Sequence, residues 1–346
     1  MKTGFYFRNI RMKYILVFSI FILFFSCKDD RSVNGNDNIQ RVSFGSGYDS
    51  LSSLIEDDRG NAELYSIRGY WLMNNNKLVE AIPDFQRAID LDSTNGKYYV
   101  GKSEVLIAQK QIGLAKAFLD EAIHKSPGST EIMLKTSEIY LWAGDYQKTI
   151  DWANAALNFD QYLAQAYYLK GMAHQYSKDT VKAVTSFQTA VEQDPMQYNA
   201  YMQLGKLYAL ENHEYADAYY ANALRINDES IEAYYARGLY RQNIKNAEGA
   251  LEDYNEILEL EPNHVAANYN IGFVKLMLLE QPDSAKIFFE NASNFAPTYA
   301  DAIYMLGYCL ELEGDNSNAL IKYQEALLVQ DTHTLAARGV NRLTKQ

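Results

Sequence analysis

A period of 34 residues runs through most of this 346-residue chain and limits its fold more than any other feature of the sequence. Self-similarity at periods of about 20–50 residues is typical of repeat architectures, in which each unit buries its apolar surface against its neighbours. One residue of each period is small: these are Gly69, Ser103, Ser137, Gly171, Gly205, Gly238, Gly272 and Gly307. Two further series, mostly alanine, run in phase with it from Ala81 and Ala88 to Ala319 and Ala326.

The spacing of these small residues predicts two antiparallel helices of about 13 residues in every unit. Two helices approach closely only where their facing side chains are small. Counted from the start of a unit, the first series occupies position 8 of the first helix, and the alanines occupy positions 20 and 27 of the second. One period has 33 residues and one has 35, so we expect the missing and the extra residue in a loop between helices or at a repeat end.

This pattern resembles the tetratricopeptide repeat (TPR) family over residues 62–333. The resemblance implies an all-α fold, a right-handed α-solenoid of eight helix-turn-helix repeats. Arg241 and Lys275 stand where the family has Tyr at position 11, which predicts looser packing in repeats six and seven. Pro83 falls inside a second helix and predicts either a kink or a late helix start. The units begin near residues 62, 96, 130, 164, 198, 231, 265 and 300.

The segments on either side of the repeats carry helical patterns of their own. Residues 48–61 contain apolar side chains at helical spacing, which fits a partial repeat or cap helix. Residues 334–346 contain Leu335, Val340 and Leu343 among basic residues, which predicts a C-terminal capping helix. A repeat array needs such caps because its terminal units otherwise expose apolar surface.

The N-terminus is typical of an export signal. Residues 1–26 combine a basic start with a 12-residue apolar run in which Ser19 is the one polar residue, and this run is short for a membrane-spanning helix. The sequence Phe24-Phe25-Ser26-Cys27 resembles a bacterial lipobox, which implies that Cys27 becomes the lipidated first residue. Plain secretion and an uncleaved anchor are the alternatives. Residues 27–47 are polar and predict a flexible tether. We therefore expect an outer-membrane lipoprotein of the cell envelope, facing the periplasm or the surface.

Composition and motifs speak against catalysis and nucleic-acid binding. The net charge of −12 makes the chain a poor ligand for a phosphate backbone, so we expect no nucleic-acid partner. Neither the five histidines nor the two cysteines form a metal-binding or nucleophile motif. We expect no catalytic residues, no cofactor and no metal.

Because no catalytic or metal-binding motif is found, we expect the chain to act through a binding surface. The resemblance implies that positions 2, 5, 9, 12 and 13 of the first helices line a concave groove, and helical geometry agrees, since positions 4, 8 and 11 face the second helix. Position 2 supplies an acidic edge through Glu232 and Asp301. The alternative is that the tyrosines of the groove only pack repeat against repeat. The predicted groove residues in repeats four to eight are Tyr168, Met172, Met202, Tyr235, Tyr269, Phe273, Tyr304 and Tyr308.

The sequence therefore favours a lipid-anchored TPR scaffold or adaptor that binds a protein or peptide segment at the bacterial cell envelope. The Lys/Asn clamp by which some TPR proteins read a terminal carboxylate is absent from repeats one to three. The alternative function is a glycan- or nutrient-capture outer-membrane lipoprotein, although the loops here are shorter than in the starch-binding family of that type.

Overall fold

The computed structural model of the chain describes residues 47–345, so the signal segment, Cys27 and nearly all of the tether lie outside the described residues. The described part consists of eighteen α-helices without a β-strand, and none of these helices is long and apolar enough to cross a membrane. In chain order the helices are α1 (Tyr48–Asp57), α2 (Ala62–Asn74), α3 (Leu78–Leu91), α4 (Gly96–Ala108), α5 (Ile112–Lys125), α6 (Thr130–Trp142), α7 (Tyr146–Leu157), α8 (Ala164–Tyr176), α9 (Thr180–Gln193), α10 (Tyr198–Leu210), α11 (Tyr215–Ile226), α12 (Ile231–Asn243), α13 (Ala247–Leu260), α14 (Val265–Met277), α15 (Pro282–Phe295), α16 (Ala300–Leu312), α17 (Asn316–Val329) and α18 (Thr334–Thr344).

Helices α2 to α17 form eight consecutive hairpins, which confirms the predicted all-α solenoid of eight repeats. Each helix packs on the next one along the chain. Several first helices also contact the first helix of the following repeat, as α4 does with α6 and α6 does with α8. The second helices do not pack on one another to a comparable extent in the described residues. The first helices therefore form the inner side of the array.

A buried aromatic ring holds the two helices of most repeats together. In six repeats a ring of the second helix lies directly on the glycine of the first helix. A Cβ atom added at five of these glycines would lie 2.5–2.9 Å from the nearest ring atom, closer than real Cβ atoms come, and at Gly307 it would lie 3.0 Å from the ring. Only glycine permits this approach. The six rings, all at most 2% exposed, belong to Phe85, Phe187, Tyr220, Tyr254, Phe289 and Tyr323.

In repeats two and three, the two helices contact each other through different residues at the same two positions. Their small residue is a buried serine, and the residue at the ring position is Leu119 in repeat two and Ala153 in repeat three. The Ser137 hydroxyl donates a hydrogen bond of 2.8 Å to the backbone carbonyl of Thr149 on the second helix. A hydroxymethyl group is thus accommodated where no ring opposes it, which is the volume complementarity expected of a close-packed core.

The loop inside each repeat turns through one residue with a left-handed backbone. These eight residues are Asn76, Lys110, Gly144, Lys178, Asn212, Lys245, Glu280 and Gly314. The extra residue of the 35-residue period lies in the loop of repeat seven, between Met277 and Pro282. The missing residue of the 33-residue period falls in repeat five, where α11 has 12 residues although most second helices have 14. Both changes leave the ring–glycine contact in register.

The expectation of loose packing at Arg241 and Lys275 needs correction. Arg241 does not leave repeat six loosely packed, because its Nε donates to Asp217 of the previous repeat at 2.5 Å and its Nη1 lies 3.2 Å from Asp253 Oδ2. In repeat seven, the Lys275 ammonium lies 5.6 Å from the centre of the Phe288 ring. Of the two alternatives predicted for Pro83, a kink or a late helix start, the late start is excluded, because α3 runs from Leu78 to Leu91 through Pro83.

Helix α18 covers the end of the array by continuing the same contact. The Tyr323 ring lies between Gly307 and Gly339 of α18, and an added Cβ at Gly339 would lie 2.5 Å from it. Two nitrogens of Arg342 donate to the Glu311 carboxylate at 2.6 Å each, and Tyr323 donates to Glu311 at 2.6 Å. The Arg342 hydrogen bond lowers the pKa of Glu311, so this carboxylate is charged at neutral pH.

The ring–glycine contact predicts an asymmetric response to glycine substitution. Gly171→Ala should lower the free energy of unfolding by about 1–3 kcal/mol, because the new methyl group overlaps the Phe187 ring. Gly113→Ala is the matched control: it meets nothing within 4 Å and should leave stability unchanged or slightly higher. Adding Phe187→Leu to Gly171→Ala should recover part of the loss. Urea unfolding of the four proteins measures these values, and equal effects of the two glycine substitutions would contradict the packing account.

The capping role of α18 predicts that deleting residues 334–346 exposes Tyr323 and destabilises repeat eight. The expected result is a lower urea midpoint, together with stronger binding of a hydrophobic dye. Leu335→Ser, at a position of α18 that is 47% exposed, is the control and should change neither quantity. A truncated chain with wild-type stability and dye binding would show that α18 is not a cap.

Candidate functional site

The tyrosines at position 5, predicted to line the groove, are partly buried and support the core. Each ring packs on the buried ring of its own repeat. The distances between ring centres are 5.8 Å for Tyr168–Phe187, 6.2 Å for Tyr235–Tyr254, 5.5 Å for Tyr269–Phe289 and 5.5 Å for Tyr304–Tyr323. One side of each tyrosine therefore holds the ring that lies on the glycine.

Three of these tyrosines also contact the next repeat. Tyr269 lies 5.1 Å from the ring of Tyr299, the residue that precedes α16. Tyr235 and Tyr304 make the equivalent contacts with His264 at 6.3 Å and His333 at 5.1 Å, which are the N-cap residues of α14 and α18. These contacts give the tyrosines the packing role that the sequence left open. Their contact with a partner stays a prediction.

The other predicted groove residues have different environments. Met202 is only 2% exposed and packs in the core with Tyr201 and Tyr220, so it offers a partner almost no surface. Phe273 packs partly buried beside Phe289, and Tyr308 lies parallel to Tyr304 at 6.4 Å. Met172 is partly buried and lines a cavity described below.

An apolar stripe runs along the C-terminal ends of the first helices. Position 13, the last residue of the helix, is apolar and well exposed in five repeats. In repeat six the neighbouring residue, Ile244, is 43% exposed. Contiguous exposed apolar side chains mark interaction surfaces, whereas single ones are ordinary. We call these five residues the exposed stripe: Trp142 (52%), Tyr176 (53%), Leu210 (81%), Met277 (52%) and Leu312 (50%).

Sequence reasoning placed position 13 in the groove but did not single out these five residues. The signal that could have found them is the recurrence of a large apolar residue just before the loop in repeats three, four, five, seven and eight. Their exposure could not be read from the sequence, because it depends on how far each helix end projects beyond the next repeat.

A cavity of about 370 Å³ opens where the stripe begins, between α6 and α8. Four of its ten lining residues are aromatic, and the Tyr146 and Tyr176 rings stack with centres 5.8 Å apart and planes 14° from parallel. One carboxylate, that of Glu138, also lines it. The cavity thus combines ring faces with a single acidic group. Its lining residues are Glu138, Leu141, Trp142, Gly144, Tyr146, Gln165, Tyr168, Leu169, Met172 and Tyr176.

The charges beside the cavity do not cancel. Lys135 Nζ lies 2.7 Å from Glu138 and 2.8 Å from Glu104, so one ammonium serves two carboxylates. Burial alone would lower the pKa of Lys135, but the two carboxylates outweigh it and the pKa is raised. Burial, with Tyr176 and Glu138 nearby, raises the pKa of Tyr168 to about 12. At neutral pH, Tyr168 is therefore uncharged and the Glu104–Lys135–Glu138 group carries a net negative charge.

The described residues include one cysteine, Cys309, and several histidines and carboxylates that could in principle react or bind a metal ion. Cys309 is fully buried, and burial raises the pKa of its thiol to about 12, which keeps it protonated and unreactive. Among the described residues, no group of three His, Cys, Asp or Glu side chains is arranged to hold a metal ion.

Comparison with known proteins agrees with the hairpin architecture. The tetratricopeptide repeat family model matches residues 164–195 and 231–264. The C-terminal part of a TPR repeat-containing protein from Cytophaga hutchinsonii superposes with a TM-score of 0.60 at 17% identity, covering 69% of this chain and 98% of that one. The fold thus defines an α-solenoid of helical hairpins. The chain is similar to tetratricopeptide repeat proteins in the two matched repeats and in its fold.

Two curated relatives come from Schizosaccharomyces pombe. Anaphase-promoting complex subunit 3 is 25% identical over 225 residues, which are 64% of this chain and 34% of the relative. A homolog of DnaJ subfamily C member 7 is 27% identical over 254 residues, which are 71% of this chain and 48% of the relative. The chain thus spans less than half the length of either relative.

Substitutions of the packed tyrosines and of the exposed stripe should differ in their effect on the free energy of unfolding. Tyr269→Ala and Tyr304→Ala should each lower the free energy of unfolding by about 2 kcal/mol, because each removes a ring packed between two repeats. Leu210→Ser and Met277→Ser should each change it by less than about 0.5 kcal/mol, since both side chains are mostly exposed. Urea unfolding of the four variants measures these changes. Tyrosine variants with unchanged stability would contradict the packing role of these residues.

Proposed function

We propose that this chain is a non-catalytic scaffold of the bacterial cell envelope, held at a membrane by a lipid on Cys27, that binds a partner polypeptide along its first helices. The exposed stripe is the observation that carries the proposal. An apolar residue recurs at the same position in repeats three, four, five, seven and eight, so an extended segment can contact several repeats. TPR proteins serve as scaffolds for protein–protein interaction, which fits this arrangement.

The stripe suits binding because it contributes little to folding. The tyrosines and buried rings hold the repeats together, and the side chains at position 13 lie beyond those contacts. A partner that covers the stripe removes apolar surface from water without disturbing the core. Asp301 at the groove edge favours a basic or neutral partner, whereas Glu232 is paired with Lys206 Nζ at 2.9 Å.

The lipid anchor rests on the sequence around Cys27, which lies outside the described residues. Its support is a basic start, a 12-residue run that is apolar except for Ser19, and the pair Ser26-Cys27. The mature chain would be strongly acidic, so acyl chains rather than a basic patch would hold it at an anionic membrane.

The anchor predicts that Cys27→Ser moves the protein from the membrane pellet to the soluble fraction. Cys309→Ala is the matched control, since it removes the chain's other cysteine and should leave the protein in the pellet. Mass spectrometry of the native protein should find an acylated N-terminal Cys27. An intact N-terminus that still carries residues 1–26 would contradict lipidation.

The scaffold function is tested by crosslinking in intact envelopes followed by affinity purification. Leu210→Ser and Met277→Ser should each reduce recovery of the crosslinked partner severalfold, because interface anchors typically contribute about 2 kcal/mol. Leu328→Ser is the control: this second-helix residue is 87% exposed, close to the 81% of Leu210. Equal recovery with all three variants would contradict binding on the stripe.

Glycan capture is the second candidate, and the exposed rings of Trp142 and Tyr176 beside the cavity favour it. A capture protein would be retained on immobilised oligosaccharides, and Trp142→Ala would abolish retention. Recovery of a crosslinked protein partner that falls in Leu210→Ser and Met277→Ser would support the scaffold over glycan capture.

A further inference from the structure

The geometry points to the cavity between α6 and α8 as a subsite for one Lys or Arg side chain of the bound polypeptide. This inference rests on the proposed scaffold function and adds a chemical preference to it. Rings of Trp142, Tyr146, Tyr168 and Tyr176 form much of the wall. Aromatic faces attract cations, and the attraction grows when the cation is withdrawn from water.

The charges at the cavity favour a cation over an anion. Glu138 lines the wall, and its partner Lys135 is shared with Glu104, which leaves one carboxylate in excess. The whole chain has a net charge of −12, so the surrounding field has the same sign. An anionic side chain would meet both the carboxylate and the electron-rich ring faces. A cationic one is attracted by both.

The chain's own cations leave these rings available. In the described part of the chain, the Lys and Arg side chains that lie over aromatic rings use other rings, as Lys148 does with Tyr140 at 5.0 Å. The cavity volume of about 370 Å³ is near the lower end of the roughly 300–1,000 Å³ typical of ligand sites. That size suits a single long side chain.

The cavity is continuous with the proposed docking surface. Trp142 and Tyr176 belong both to its wall and to the exposed stripe. A polypeptide lying on the stripe therefore passes the cavity mouth, and a long side chain can enter while the backbone continues toward Leu210. A fixed entry point sets the register of the bound segment, which an apolar stripe alone does not do.

The experiment starts with a library of random 12-residue peptides displayed on phage and selected on the immobilised full chain. We expect a Lys or Arg at one fixed position among the selected sequences. The best peptide is then synthesised with that residue and, in a second version, with uncharged norleucine. Norleucine should weaken binding about tenfold, which corresponds to the loss of one partly desolvated cation–ring contact.

The affinity ratio of the basic peptide to the norleucine peptide is the readout. Trp142→Leu and Glu138→Gln should each lower the ratio severalfold, whereas Trp142→Phe, which keeps an aromatic face, should preserve most of it. Met277→Ser is the control: it should weaken both peptides equally and leave the ratio unchanged. Trp142 is 52% exposed, so thermal unfolding of its variants should match the wild type.

The outcomes separate the subsite from the scaffold. Selected peptides that depend on Met277 but show no basic preference, or a ratio that persists in Trp142→Leu or Glu138→Gln, would overturn the subsite and leave the scaffold standing. Failure to select any peptide, or binding indifferent to both Leu210 and Met277, would overturn the scaffold and the subsite with it.

Discussion

The fold depends on one contact, in which a buried aromatic ring of the second helix packs so closely on a glycine of the first helix that a methyl group would not fit between them. Six repeats place a buried aromatic side chain of the second helix on a glycine of the first, and the remaining two use serine where no ring opposes it. Because the contact fixes how closely the two helices cross, it also fixes the shape of each hairpin. Caps follow from it as well: α18 supplies Gly339 to cover the ring of Tyr323, which would otherwise face water.

The same contact separates the residues that hold the array together from those free to bind. The tyrosines at position 5 pack on the buried rings and, in three repeats, on the residue before the next first helix. Eight residues further along the same helices, the stripe residues lie beyond these contacts and remain exposed. The proposed function therefore assigns stability and binding to different positions of one helix. Residues of different size, from Trp142 to Leu312, occupy this exposed position in the five repeats.

The fold could be predicted from the sequence because the period reports helix pairing directly. Small residues at positions 8, 20 and 27 imply two crossing helices, and the structure has these helices throughout residues 62–333. Finer features depend on side-chain direction and escaped prediction. Met202 fits a groove position by counting but turns into the core, and Arg241 fills its interface through ion pairs with Asp217 and Asp253. The cavity beside Trp142 depends on the angle between repeats three and four, which periodicity does not encode.

Radical footprinting of the chain with and without its crosslinked partner tests the central claim most directly, because it reports side-chain exposure residue by residue. The account predicts that oxidation of Trp142, Tyr176 and Met277 falls when the partner is bound, while Leu328 and Val181 on the second helices react as before. Protection of Leu328 and Val181, with the stripe still reactive, would place the partner on the opposite side of the solenoid and contradict the account.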